Sequence, residues 1–202
     1  ARLCDLTDVE AVERLIDDHT CCLFLEIMTN PQLEVVDVRA LTEIAHQHGI
    51  PVIADTTLIP FTQFSAKDLG IDLEVVSSTK YISGGATSLG GLVIDYGTFP
   101  SIGKRLLNEM LFNLGAYMTP QVAYMQTLGL ETLDVRYRVQ AGNALELAQR
   151  LRTLKPICKV NYVGLEDNPY HQLAVSQYGE TAGAMVTIDL ESQEACFRML
   201  DN

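Results

Sequence analysis

The sequence predicts an α/β fold: a mainly parallel sheet flanked by helices, followed by the start of a smaller C-terminal α+β domain. Three observations predict it. Short apolar runs alternate with helix-length amphipathic segments up to residue 100, the pattern of βαβ units. Polar residues of unusual type fall where those apolar runs end. Beyond Pro100 the pattern turns helical, and two further strand-like runs come after it.

Each element has its own signal. Leu3 to Leu6 alternates as a strand does, and Thr7-Asp8-Val9-Glu10 opens a helix with threonine or aspartate as its N-cap. Cys21 to Ile27 (CCLFLEI) is a continuous apolar run with one late acid, as in a strand buried on both faces. Asn30-Pro31 breaks it. Val38, Leu41, Ile44 and Ala45 then recur near a 3.6-residue period, until Gly49 and Pro51 stop the helix. Val52-Ile53-Ala54-Asp55 is the next strand, a short helix around Gln63 to Leu69 ends at Gly70, and Leu73 to Ser77 and Gly90 to Asp95 complete the set. Helices are predicted over Lys104 to Asn113, Gln121 to Leu128 and Leu133 to Leu154, strands near Ile157 to Val163 and Ala184 to Leu190, and a last helix after them.

Composition narrows the function classes. The 202 residues carry a net charge of −12, which repels nucleic-acid phosphates. No apolar run reaches the roughly 18 residues of a membrane span, and the first residues have no signal-peptide pattern. Cys4, Cys21, Cys22, Cys158 and Cys196 form no disulfide or metal spacing, and His46 and His48 do not share a helix face, so no metal site is expected. A reducing cytoplasm fits this cysteine usage. The chain opens on Ala1 and stops just after an amphipathic run, as an interior segment of a longer protein would.

In a parallel sheet, ligands sit beyond the carboxyl ends of the strands. Asn30 comes after one strand, Asp55 closes the next, and Ser77-Ser78-Thr79-Lys80 closes a third. A pyridine-aldehyde cofactor needs an amine to form a Schiff base, a carboxylate to hold its ring nitrogen protonated, and donors for its phosphate. Lys80, Asp55 and the hydroxyls of Ser77 and Thr79 are of those types. A plainer reading stays open on pattern alone: Asp55 as the N-cap of the next segment, and STK as an ordinary loop.

The same segments resemble the cysteine and methionine metabolism family of pyridoxal-phosphate enzymes, of fold type I. Leu25-Glu26 through Asn30-Pro31 is similar to that family's E-x-x-x-N-P, and Val52-Ile53-Ala54-Asp55-Thr56-Thr57 to its strand ending in D-N-T. Ser77-Ser78-Thr79-Lys80-Tyr81 resembles its S-x-T-K-Y, with Gly129-Leu130-Glu131-Thr132-Leu133 and Tyr162 to His171 continuing the match. The resemblance implies pyridoxal 5'-phosphate as cofactor. Lys80 would hold it and move protons, Asp55 would pair with the ring nitrogen, Thr57 would lie against a ring face and Asn30 near the phenolic oxygen. Ser77 and Thr79 would bind the phosphate.

It further implies elimination or replacement at Cβ or Cγ of homoserine esters, cystathionine or methionine, with a lean toward O-acetylhomoserine sulfhydrylase. It also implies a homodimer or homotetramer with no nucleic-acid or membrane partner. Residues 1–140 would belong to the cofactor-binding domain, and 141–202 to a linking helix and the start of the next. The chain departs from the family pattern at Thr56 (usually asparagine), Val76 (histidine), Ser83 and Gly85 (glycine and histidine) and Leu128 (arginine). An alternative, motivated by the family parts missing at both ends, is a non-catalytic fragment or one piece of a split assembly. Arg136 and Arg138 read as solvated helix arginines.

Overall fold

The computed structural model describes residues 1–201. Strands β1 (Leu23–Glu26), β2 (Val52–Asp55), β3 (Leu73–Val76) and β4 (Leu92–Asp95) form a four-stranded sheet in the order β1-β2-β3-β4. The first three run parallel because long crossovers join them, through helix α2 (Val38–Gln47) and then a 3-10 turn at Lys67–Leu69. No crossover helix lies between Val76 and Leu92, so the chain returns and β4 pairs antiparallel to β3.

Local signals set the helix ends. Asp8 caps α1 (Val9–Leu15) by accepting from Ala11 N, and Asp37 caps α2 by accepting from Ala40 N at 3.0 Å. Val38, Leu41 and Ala45 on α2 are fully buried against the sheet, as their period requires. Gly70 ends the 3-10 turn at φ +88°, and a Cβ there would lie 2.7 Å from Thr42 Oγ1.

Beyond β4 the chain is helical. Helix α3 (Pro100–Arg105) runs through a π-helical stretch (Leu106–Leu111) into α4 (Phe112–Leu114). Helices α5 (Pro120–Glu131) and α6 (Leu133–Leu151) meet at Thr132. A separate antiparallel pair, β5 (Ile157–Asn161) and β6 (Thr187–Leu190), has helix α7 (His171–Tyr178) between its strands, and α8 (Gln193–Leu200) comes last. Ala144 and Ala148 of α6 pack with Tyr162 and Leu165 beside this second sheet.

Three expectations need correction. Leu3 to Leu6 is not a strand: Leu3 is fully exposed, while Cys4 and Leu6 lean on the core from an unpaired extended segment. One-sided packing alone produced the alternation. Strand β1 is not buried on both faces, since it is an edge strand and Phe24 is 58% exposed. Helix α7 was not expected, because its buried face carries Gln177, whose polarity hides the apolar period. Gln177 is there for hydrogen bonding: its Oε1 accepts from Val38 N at 2.8 Å and its Nε2 donates to Val36 O at 3.0 Å. Tyr178 beside it donates to Ile27 O, so α7 ties the start of α2 to the end of β1.

Candidate active site

The carboxyl ends of β1, β2 and β3 open into one pocket of about 530 Å³, lined by Glu26, Asn30, Asp55, Thr57, Ser77 and Lys80 on the strand side. Tyr81, Gly84, Gly85, Arg136, Gln140 and Met185 close the other side. The parallel register explains the convergence. Glu26 pairs with Asp55, and Asp55 with Val75, so three strands end in step within a few residues. The volume lies in the ~300–1,000 Å³ range of small-molecule sites.

A chain of backbone and side-chain bonds fixes the rim. Asp55 Oδ1 accepts from Thr57 N at 2.8 Å. Thr57 Oγ1 in turn accepts from Ser77 N at 2.9 Å, and Lys80 N donates to Ser77 O at 3.2 Å. Asp55, Thr57, Ser77 and Lys80 are therefore linked one to the next along the strand ends. The second Asp55 oxygen has no protein partner among the described residues. Lys80 itself is exposed.

Thr79 lies apart from this set. Its hydroxyl donates to Gly90 O at 3.2 Å and accepts from Gly90 N at 2.9 Å, and it is not among the pocket-lining residues. A hydroxyl has one proton to give. Donation to a phosphate would require Thr79 to release the Gly90 carbonyl. Asn30, Asp55, Thr57, Ser77 and Lys80 are brought together, and Thr79 braces the loop behind them.

The arginine pair divides. Arg138 is exposed and bonded to Asp134 at 2.9 Å, as a solvated helix residue would be. Arg136 is not. It lines the pocket, and its Nη2 donates to Tyr81 O at 2.9 Å and to Gly129 O at 2.8 Å, while Nε donates to Thr132 Oγ1 at 3.0 Å. A signal existed in the sequence: Leu133, Tyr137, Ala141, Ala144 and Ala148 form the buried stripe of α6, and Arg136 borders it. The Tyr81 ring meets Tyr137 edge-on at 5.4 Å, and burial pushes its phenol above the ordinary tyrosine value, against a lowering contribution from the Ala184 backbone. Tyr81 thus stays protonated on the pocket wall.

Comparison with known proteins gives the chain a family. A family model described as Cys/Met metabolism PLP-dependent enzyme matches residues 1–202. The chain belongs to that family. It is 37% identical over 187 residues to canavanine gamma-lyase of Pseudomonas canavaninivorans, spanning 92% of this chain and 46% of that protein. It is 33% identical over 197 residues to O-succinylhomoserine sulfhydrylase of Pseudomonas aeruginosa, spanning 97% and 48%. Among solved structures, that of O-acetylhomoserine sulfhydrylase from Wolinella succinogenes is 41% identical with a TM-score of 0.87, covering 99% of this chain and 61% of that one. An assigned O-acetylhomoserine (thiol)-lyase from Campylobacter jejuni, solved with N'-pyridoxyl-lysine-5'-monophosphate, is 29% identical with a TM-score of 0.91, covering 98% and 56%. The chain spans about half the length of the curated relatives it matches.

The family thus explains the sheet and its helices as fold type I. Among the described residues, no group of three or more His, Cys, Asp or Glu could hold a metal ion, and no helix is long and apolar enough to cross a membrane. The five cysteines are unpaired thiols. Burial and the adjoining Cys21 thiol raise the pKa of Cys22.

Proposed function

We infer that the 530 Å³ pocket holds pyridoxal 5'-phosphate and that the whole protein uses it on sulfur amino acids or acyl-homoserines. The observation that carries this is the convergence of one lysine, one partner-poor carboxylate and two hydroxyl residues on a single rim. When bound, the cofactor supplies an aldehyde that condenses with amines and a ring that accepts electrons.

The chain's own residues do the rest. Lys80 would offer the amine that holds the cofactor between turnovers, and during a turnover it would take a proton at the substrate carbon and return it. Asp55 would keep the ring nitrogen protonated, while Thr57 N–H holds its Oδ1 in place. Thr57 would pack on one ring face and Asn30 would donate toward the phenolic oxygen. Ser77, and Thr79 once it releases Gly90, donate to the phosphate. Arg136 balances Glu26 and Asp55 across the pocket with a second cation beside Lys80.

The reaction is elimination or replacement at Cβ or Cγ, and the 41% identity to an O-acetylhomoserine sulfhydrylase favours O-acetylhomoserine with sulfide as the substrate pair. Residues 1–140 form the cofactor-binding part, and 141–202 the link and the start of a second domain, in keeping with the separate β5–β6 sheet. The apolar surface of the mid-chain helices and of the loop before α5 supports a homodimer or homotetramer. There Leu107, Phe112, Leu114, Tyr117 and Tyr124 are each more than 60% exposed.

Pyridoxal phosphate added to the full-length protein should give a visible absorbance band that Lys80→Ala abolishes. Borohydride reduction should then fix the cofactor to Lys80. A label on Lys67 or Lys104 overturns the assignment. Parallel product assays with O-acetylhomoserine plus sulfide, cystathionine and methionine decide the substrate, and light scattering decides the oligomer.

A further inference from the structure

We propose that Arg136 is the positioning residue for Lys80, a strut that fixes the loop carrying the lysine against the α5–α6 junction. The inference rests on the assignment of Lys80 above, and its test separates the two.

Bonds within the loop hold it to itself, Thr79 to Gly90 and Ser83 Oγ to Thr79 O, and Arg136 adds the tie from it to the α5–α6 junction. After Lys80 the chain passes through Gly84 and Gly85, both at positive φ, and both exposed. Glycines there leave the backbone free to sample many conformations, so the lysine's place depends on what grips the residues next to it. The carbonyl directly after Lys80, that of Tyr81, takes a charged hydrogen bond from Arg136 Nη2 at 2.9 Å. The same nitrogen donates at 2.8 Å to Gly129 O, the last-turn carbonyl of α5. Nε anchors the guanidinium plane to Thr132 Oγ1 at the junction itself.

One planar cation therefore ties three chain segments: the loop, the end of α5 and the start of α6. Van der Waals contact completes the arrangement. Gly129 packs so closely that a Cβ would fall 2.0 Å from Ile82 O, and Gly84 lies with its own missing Cβ 3.8 Å from the Arg136 guanidinium. The fork geometry is what matters. A lysine ammonium carries equal charge, but a single nitrogen at the end of a flexible stem cannot present donors to Tyr81 O, Gly129 O and Thr132 Oγ1 along fixed directions.

The position also gives Arg136 a second consequence. Nη1 has no protein acceptor among the described residues, and the side chain lines the pocket. A cation already locked by three bonds adds positive potential beside Lys80 without reorganising when an anion arrives.

The test uses the full-length protein, first without added cofactor. Amide hydrogen exchange is monitored at Ser83 and Gly84, whose N–H groups are bonded to Ser78 O and Tyr81 O, with α2 as internal reference. Arg136→Lys and Arg136→Gln should accelerate exchange at Ser83 and Gly84 on the order of tenfold or more, the loss of a charged hydrogen bond, and leave α2 unchanged. Thr132→Val, which keeps the arginine, should give a smaller acceleration in the same place. Cofactor affinity, read from the absorbance titration, should weaken in the same rank order. Equal exchange at Ser83 and Gly84 in all variants overturns the proposal. So does acceleration spread evenly over α2, which would make Arg136 a general stability residue. Should Arg136→Lys fail to fold, Thr132→Val alone decides: no local acceleration at Ser83 and Gly84 refutes the strut. A borohydride label found away from Lys80 would sink the assignment of the lysine while leaving the exchange result standing.

Discussion

Replacing Gly129 with alanine should destabilise this protein, although the same change in an exposed helix stabilises. Two opposing effects are involved. In a helix interior, alanine is favoured over glycine by about 1 kcal/mol. Against that, a Cβ on Gly129 would meet Ile82 O at 2.0 Å, Ser83 C at 2.9 Å and Ile82 C at 3.1 Å, all backbone atoms that cannot rotate away. Either α5 or the loop after Lys80 must move by about 1 Å, an overpacking cost of roughly 1–3 kcal/mol. That shift also stretches the paired bonds from Arg136 to Tyr81 O and Gly129 O, each worth about 1.5–3 kcal/mol as a charged hydrogen bond. The clash wins, and the net loss should be on the order of 2–4 kcal/mol. Gly142 supplies the control. It lies in α6 with nothing within 4 Å of its missing Cβ, so Gly142→Ala should gain about 0.5–1 kcal/mol. Urea unfolding of both variants, monitored by circular dichroism, measures the two signs side by side. If Gly129→Ala stabilises as Gly142→Ala does, α5 does not press on the Lys80 loop and the packing argument is wrong.

Buried polar groups give two more expected outcomes. Glu74 is fully buried, with Thr56 Oγ1 donating to one carboxylate oxygen at 2.6 Å and Tyr96 OH to the other at 2.6 Å. Tyr96→Phe strands one oxygen and should cost about 1–3 kcal/mol in denaturant unfolding; no loss would mean water already serves that oxygen. Tyr162 has its phenol pushed up to about 12, by burial first and by the neighbouring Tyr81 second, while the unfolded chain ionises near ~10. The raised group contributes stability that is whole below pH ~10 and disappears as pH climbs toward about 12, up to roughly 2–3 kcal/mol. Unfolding free energies measured from about pH 9 to about pH 12 should fall accordingly, and Tyr162→Phe should flatten the fall; an unchanged slope in that variant refutes the attribution.

Much of the sheet was legible because its signals are local. Val52 to Asp55 and Leu73 to Ser77 read as strands, the second one residue longer than β3, and the last residue of each meets the pocket. What was not legible depended on partners distant in sequence. Leu3 to Leu6 has strand alternation but no strand edge to join. Helix α7 buries Gln177 because the backbone at Val36 and Val38, far back in the chain, needs a donor and an acceptor there. The antiparallel β4 results from the missing crossover helix, a negative signal easily passed over. At the site, residue types announced the rim, yet Thr79 turned inward to Gly90 and Arg136 turned out to be a clamp. Neither could be read without knowing which carbonyl lies opposite.

The departures from the family pattern form a coherent set once the contacts are known. Thr56 stands where asparagine is usual, on the opposite face of β2 from Asp55 by strand alternation, and its hydroxyl is committed to buried Glu74. The next strand thus supplies the acceptor that the exchanged side chain needs, and Tyr96 satisfies the oxygen left over. Val76, in place of histidine, packs with Ile82 and Leu133 in a small apolar cluster directly beneath the Lys80 loop. Ser83 donates to Thr79 O at 2.7 Å and so closes the turn that holds the lysine between them. Leu128, in place of arginine, is 46% exposed and touches none of the pocket. Two of these changes, Val76 and Ser83, bear on the backbone on either side of Lys80 and are packed or bonded within this chain, while Gly85, in place of histidine, is exposed at φ +130° with open space around it. The exchanged positions Val76 and Ser83 support the rim from behind, while Asp55, Thr57, Ser77 and Lys80 line the pocket itself.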